Sequence, residues 1–354
     1  MKKRLLSLGL MLCFLLGAFS LAGCRMEMSE KKEKYSTHSF DYFDTVTSIS
    51  GYAKTQAEFD EVASGILNSL GEYHKLYTIY HRYDGMENLC TVNELQNGVH
   101  RTVTVDRRII DLLLYAKEMY QKTEGRVNVA MGSVLSLWHE YRNLGMDDPT
   151  TAQLPPMEKL VAASKHTDIG CVLIDEEKST VTLRDPEMKL DVGAIAKGYA
   201  VEMIARSLER EGIEGYVLNV GGNVRTVGAK GDGEKWVVGI DNPNGEGEDA
   251  YFAKTVLAGE ALVTSGSYQR FYIVNGKSYH HIIDPETLMP SEGLLSVSII
   301  CRDSAAGDAL STALFCMTPE EGMRLIESIP DTEALWVETG GREHRSSGFS
   351  KYEQ

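Results

Sequence analysis

Cysteine is scarce and poorly spaced for metal chemistry, with six in 354 residues and no Cys-x-x-Cys pair. Cys90, Cys171, Cys301 and Cys316 are scattered through apolar surroundings. That excludes a zinc cluster of the usual spacing and a disulfide-dense scaffold, and makes buried free thiols the expectation. Basic residues are also in deficit. Lys and Arg total 36 against 51 Asp and Glu, a formal net charge of −15. Such a balance argues against a nucleic-acid partner and against a polybasic membrane patch. The chain has no internal repeat, low-complexity tract or linker after Thr37, and the polar stretch DNPNGEGED (241–249) is too short to separate domains. The stretch around Lys197 is not a Walker loop: the glycine spacing is wrong and no Ser or Thr follows the lysine.

The single long apolar run is at the N-terminus. Lys2, Lys3 and Arg4 precede apolar residues 5–19, and the run ends in Leu21-Ala22-Gly23-Cys24. It is short for a membrane span. The ending resembles the lipobox of bacterial lipoproteins. It implies a signal peptide over 1–23, acylation of the Cys24 thiol, a polar lipid-anchored tether over 24–37 and a domain over 38–354. The expected location is the extracytoplasmic face of the cell membrane, with membrane contact through the lipid.

Within the domain, residues 40–52 alternate as a first strand carrying Phe43-Asp44-Thr45. An apolar stripe from Phe59 to Leu70 marks a helix, and Asp106 caps a second helix over 107–123. The stretch 123–138 reads as a glycine turn followed by an apolar segment carrying Trp138. Residues 172–174 and 181–183 read as short strands. The stretch DVGAIAKGYAVEMIARSLEREG (191–212) follows a strand-like beat with a glycine turn and an amphipathic helix. After Tyr216 strands prevail: 216–220, 236–240, a run over 257–263, a hairpin around Asn275-Gly276, 296–301 and 334–338. Helices over 305–317 and 319–329 interrupt them. The pattern is α+β, in one unit with mixed or antiparallel sheets.

Four stretches carry candidate chemistry. The start of the 191–212 helix offers backbone N–H groups and Lys197, which suit a phosphate group, though an ordinary strand-to-helix turn has the same sequence form. In GDALSTAL (307–314), Asp308 and Thr312 are four apart and share a helix face, giving a carboxylate and a hydroxyl suited to Mg²⁺. In KSYHHIIDPETLMP, adjacent His280 and His281 point to opposite strand faces, so at most one faces a given pocket. TSGSYQRFY, which opens at Thr264, brings small hydroxyl side chains and backbone N–H groups.

In this order, DVGAIAKGYAVE, YVLNVGGNVRTVG, TSGSYQRFY, HIIDPETLMP and DALSTAL resemble the ApbE family, the FAD:protein FMN transferases. The resemblance implies an ApbE-like (T-fold-like) domain and a Mg²⁺-dependent enzyme. FMN would be transferred from FAD to a Ser or Thr hydroxyl of a partner protein, typically a membrane redox subunit, releasing AMP. It further implies Asp308, Thr312 and the Ala194 carbonyl as metal ligands. Phe43, Tyr80, Asn128, Asp191, Lys197, Thr264 and Ile283 would contact the flavin nucleotide, and His281 would activate the acceptor hydroxyl. This chain has Asn128 where many members have Asp, Phe43-Asp44-Thr45 where members often have Met-Gly-Thr, and Ala305 where some have a further acidic ligand. Two other readings share the motifs: an FAD pyrophosphatase giving FMN and AMP, and a lipid-anchored FAD-binding protein without catalysis.

Overall fold

The computed structural model describes residues 31–96 and 98–354; the expected signal peptide and Cys24 lie outside them. Its frame is an eight-stranded sheet whose strands stand side by side in chain order. They are β1 (Glu33–Ser39), β2 (Thr47–Ala53), β3 (Tyr216–Val220), β4 (Asn223–Val227), β5 (Ala261–Gly266), β6 (Leu294–Cys301), β7 (Glu333–Glu338) and β8 (Glu343–Arg345). Every neighbouring pair is antiparallel. The principal helices are α1 (Gln56–Tyr77), α2 (Arg107–Lys122), α3 (Gly132–Asp147), α4 (Ala196–Arg210), α5 (Ser304–Phe315) and α6 (Pro319–Glu327). This is an α+β fold, as expected.

Strand alternation separates two cores. Val297 and Ile299 of β6, with Ala334 and Trp336 of β7, join residues of α1, α4 and α5 in the larger core. Their neighbours Ile300, Leu335 and Val337 face the other way, under the hairpin formed by Trp236–Asp241 and Tyr251–Leu257. A third cluster forms where Trp138 of α3 packs with Tyr272, Val274 and Ile283, and Trp138 donates to the Leu288 carbonyl at 2.9 Å. All four described cysteines are free. Burial raises the Cys301 and Cys316 thiols to about 12.

Local differences from the sequence reading have physical causes. The 40–52 stretch is a loop followed by β2. Phe43 and Asp44 adopt φ of 55° and 51°, outside any strand conformation. β1 begins at Glu33, inside the stretch read as tether; its polar sequence EKYSTHS suits an edge strand with one exposed face. The 257–263 run divides into two strands around Ala258-Gly259-Glu260, where Gly259 takes φ 107°. β4 carries Arg225, which masks a fully buried strand; its charge is met by Glu202 and Glu209 at 3.0 and 2.9 Å. Gly132 and Ser133 obscured α3, where tertiary packing overrides weak helix propensity.

Candidate active site

The centre of the site is the junction of α4 with α5. Asp191 Oδ1 accepts the Gly193 N–H at 2.9 Å and shapes the turn into α4. The N-cap residue, Ile195, supplies no side-chain cap. The cap comes from α5, because Asp308 Oδ2 accepts the Gly198 N–H at 2.8 Å. Only glycine permits this approach: a Cβ on residue 198 would lie 2.3 Å from the Ser304 carbonyl oxygen and 2.5 Å from Asp308 Cβ. The other carboxylate oxygen of Asp308 lies 3.6 Å from Lys197 Nζ and accepts from Asn223 Nδ2 at 3.4 Å. Asn223 is delivered by the two-residue turn Gly221-Gly222, with φ of 57° and 87°. Behind the junction, buried Glu202 of α4 accepts the Ser304 N–H at 2.9 Å and pairs with Arg225 and Arg206.

A cavity of about 710 Å³ opens over this junction. Every site residue expected from the sequence within the domain lines it. Asp308 of α5 and Lys197 of α4 approach to 3.6 Å in its wall, Thr312 follows Asp308 by one helical turn, and Ala194 and Thr264 of β5 also line it. His281 and Ile283 come from the segment after the Lys277–His280 strand, Phe43 from the loop before β2, and Tyr80 and Asn128 from the irregular stretches after α1 and α2.

The histidine pair divides, although the strand ends at His280 and His281 lies in the bend after it. His280 is buried, accepts the Ile282 N–H on Nδ1 and donates from Nε2 to the Ser291 carbonyl at 2.7 Å. His281 faces the cavity, and its Nδ1 donates to the Arg270 carbonyl at 3.2 Å. A carbonyl can only accept, so the neutral ring carries its proton on Nδ1 and keeps an acceptor lone pair on Nε2. Burial, reinforced by the charges of Arg270 and Lys197, lowers the His281 pKa to about 3.

The Tyr80 end is aromatic and polar. The Tyr80 hydroxyl and His139 Nδ1 are 3.1 Å apart, and His139 Nε2 lies 3.8 Å from Asp191 Oδ2. Burial, with a smaller effect from Asp191, raises the Tyr80 phenol to about 12. Burial lowers the His139 pKa, opposed by Asp191. Asn128 is committed to the fold: its Nδ2 donates to the Thr167 carbonyl and its Oδ1 accepts the Ala130 N–H, both at 2.9 Å. An aspartate there would have no donor for the Thr167 carbonyl. Thr264 exchanges a 2.8 Å hydroxyl contact with Ser298.

Sequence reasoning missed His139, Arg142, Arg270 and Asn223, which all line the cavity. Leu135, His139 and Arg142 follow one another at four- and three-residue spacing, a helical signal hidden by their mixed chemistry. Arg270 donates to the carbonyls of Phe43 and Asp44 at 3.2 and 3.0 Å and so braces the left-handed loop.

The residues present fit a hard divalent cation. Among the described residues no three His, Cys, Asp or Glu side chains cluster as a metal site, which argues against zinc. Oxygen donors are nonetheless to hand beside the Asp308 carboxylate. The Thr312 hydroxyl has no hydrogen bond to the described residues, and Asn223 Oδ1 is buried without a partner. One carboxylate with neutral oxygens is what Mg²⁺ accepts when it retains water and meets a phosphate.

The model of the ApbE family matches residues 43–336, a span holding every one of these side chains. The chain belongs to the ApbE family. A relative named FAD:protein FMN transferase from Klebsiella pneumoniae is 30% identical over 272 residues, covering 74% of this chain and 81% of its own. Another of the same name from Treponema pallidum is 34% identical over 261 residues, covering 70% of each chain. The ApbE protein of Thermotoga maritima superposes with a TM-score of 0.77 at 29% identity, over 91% of this chain and all of that one. The ApbE match thus runs across the sheet and the α4–α5 junction alike.

Proposed function

We propose that this enzyme is an FAD:protein FMN transferase that joins FMN through a phosphoester to a Ser or Thr hydroxyl of an acceptor protein. The observation that carries the reading is that Asp308 and Lys197, 3.6 Å apart, line one cavity together with Thr312, Ala194 and the rings of Tyr80 and His139. Curated relatives bearing that name support it. A dinucleotide carrying a flavin matches both the polar groups and the rings.

The acceptor oxygen attacks the phosphorus of the FMN half. The bond from that phosphorus to the bridging oxygen breaks, and AMP departs with the bond electrons. The hydroxyl proton passes to the free Nε2 of His281. That imidazole is a weak base in the empty cavity, and the negative charge of a bound pyrophosphate raises its basicity. Lys197 supplies positive charge where the transferred group and leaving group share it. Asp308, Thr312 and the Ala194 carbonyl would hold Mg²⁺, which when bound would supply further charge neutralisation at the pyrophosphate. Asp191 and the Tyr80 end orient the nucleotide.

The acceptor is proposed to be a membrane redox subunit, met by an enzyme held on the extracytoplasmic face through lipidated Cys24. The test is to incubate the domain with FAD, Mg²⁺ and a candidate acceptor. An acceptor gaining the mass of an FMN ester with one AMP released, abolished by EDTA, supports transfer. AMP and free FMN with no acceptor modification would make it an FAD pyrophosphatase, and no AMP at all would make it a flavin-binding protein.

A further inference from the structure

Arg142 stands out in the cavity wall. It lies on α3 three residues after His139 and seven after Leu135, so all three share the helix face that lines the cavity. Its guanidinium is partly buried and makes no hydrogen bond or ion pair with the described residues. The neighbours that its charge feels most are Tyr80, Arg270, Asp191 and Tyr272. Arg270 repels it, and the Nη2 group of Arg270 is spent on the Phe43 and Asp44 carbonyls. A partly desolvated guanidinium with five unused N–H donors gains from an acceptor-rich ligand.

The surroundings specify that ligand. Tyr80 and His139 rings lie 6.0 Å apart, and Ile79, Leu135 and Met131 complete an apolar wall. A planar ring fits there better than a phosphate, whose partners stand with Lys197 and Asp308. FAD offers two ring systems. Adenine presents an exocyclic amino group, a donor that a guanidinium cannot accept. The pyrimidine ring of isoalloxazine carries one N–H donor between its two carbonyls, but each carbonyl also stands beside a ring-nitrogen acceptor, a pair of acceptors that a guanidinium can grip.

Building on the proposed function, we infer that Arg142 is a specificity-determining residue that grips the carbonyl edge of the isoalloxazine ring. It makes this end of the cavity selective for flavin over other heteroaromatic rings.

The test measures binding of FAD and of ADP to the full protein in Mg²⁺, for wild type, Arg142→Met and Arg142→Lys. Charge-assisted hydrogen bonds of this kind correspond to about a tenfold or greater loss of affinity when removed. Arg142→Met is expected to lose that much for FAD and nothing for ADP, with Arg142→Lys between. Unchanged ADP binding also shows that the variant is folded. Equal FAD affinity in all three proteins overturns the inference, as does a parallel loss of FAD and ADP. Wild-type protein that binds no FAD removes the proposed function itself, a distinct result.

Discussion

The backbone N–H of Gly198 donates to the carboxylate of Asp308 at 2.8 Å, across a separation of 110 residues. This single bond joins the two motifs that carry most of the site. It caps α4 and fixes one oxygen of Asp308, leaving the other toward Lys197. A side chain used to lock two helices together is a poor candidate for free movement, and its orientation is set before any ligand arrives.

Gly198→Ala tests that junction. The added methyl would meet the Ser304 carbonyl oxygen at 2.3 Å and Asp308 Cβ at 2.5 Å, so the helices must shift apart. Thermal unfolding should report a loss of about 1–3 kcal/mol. AMP release from FAD should fall further than stability accounts for. A variant as stable and active as wild type would show that the helices separate easily.

Asp308→Asn keeps the shape and removes the charge. The expected outcome is loss of Mg²⁺-dependent turnover, read as AMP release, with the fold retained by circular dichroism. Activity that persists and still responds to Mg²⁺ would place the metal elsewhere.

Buried Glu202 is the counter-charge of Arg225 and holds the start of α5 through the Ser304 N–H. Glu202→Ala leaves a guanidinium buried without its main partner, a change that costs about 3–5 kcal/mol. Denaturant unfolding would measure it. A shift of the midpoint within error would mean that Glu209 alone satisfies Arg225.

The histidines make the empty enzyme sensitive to acid. His74, His139, His280 and His281 all have pKa values lowered by burial, His281 to about 3. The unfolded chain takes up protons below about 6.5 that the folded chain refuses. Stability therefore rises with pH from about 3 to about 6.5 and levels above it. Melting temperatures across pH 4–8 should show this slope, and His281→Gln should flatten it. A slope unchanged in that variant would mean that His281 titrates normally in the fold.

The sequence by itself determined the elements whose causes are local. Asp106 accepts the Arg108 N–H and starts α2 where expected. Asn275 and Gly276, at φ 49° and 80°, turn the hairpin. The four-residue spacing of Asp308 and Thr312 placed both on one helix face. Motif order added the family and, through it, every lining residue from Phe43 to Thr312 that was expected.

Tertiary structure alone decided what depends on long-range contact. No local signal shows that Asp308 caps α4, because the bond requires the α4–α5 approach that Gly198 permits. Arg225 reads as a surface residue until Glu202 and Glu209 are brought beside it. Nothing in the local sequence marks Arg142 as a cavity residue. Only the assembled fold sets it in the cavity wall with Tyr80 and without a partner among the described residues, because burial and pairing belong to that fold and not to the order of residues.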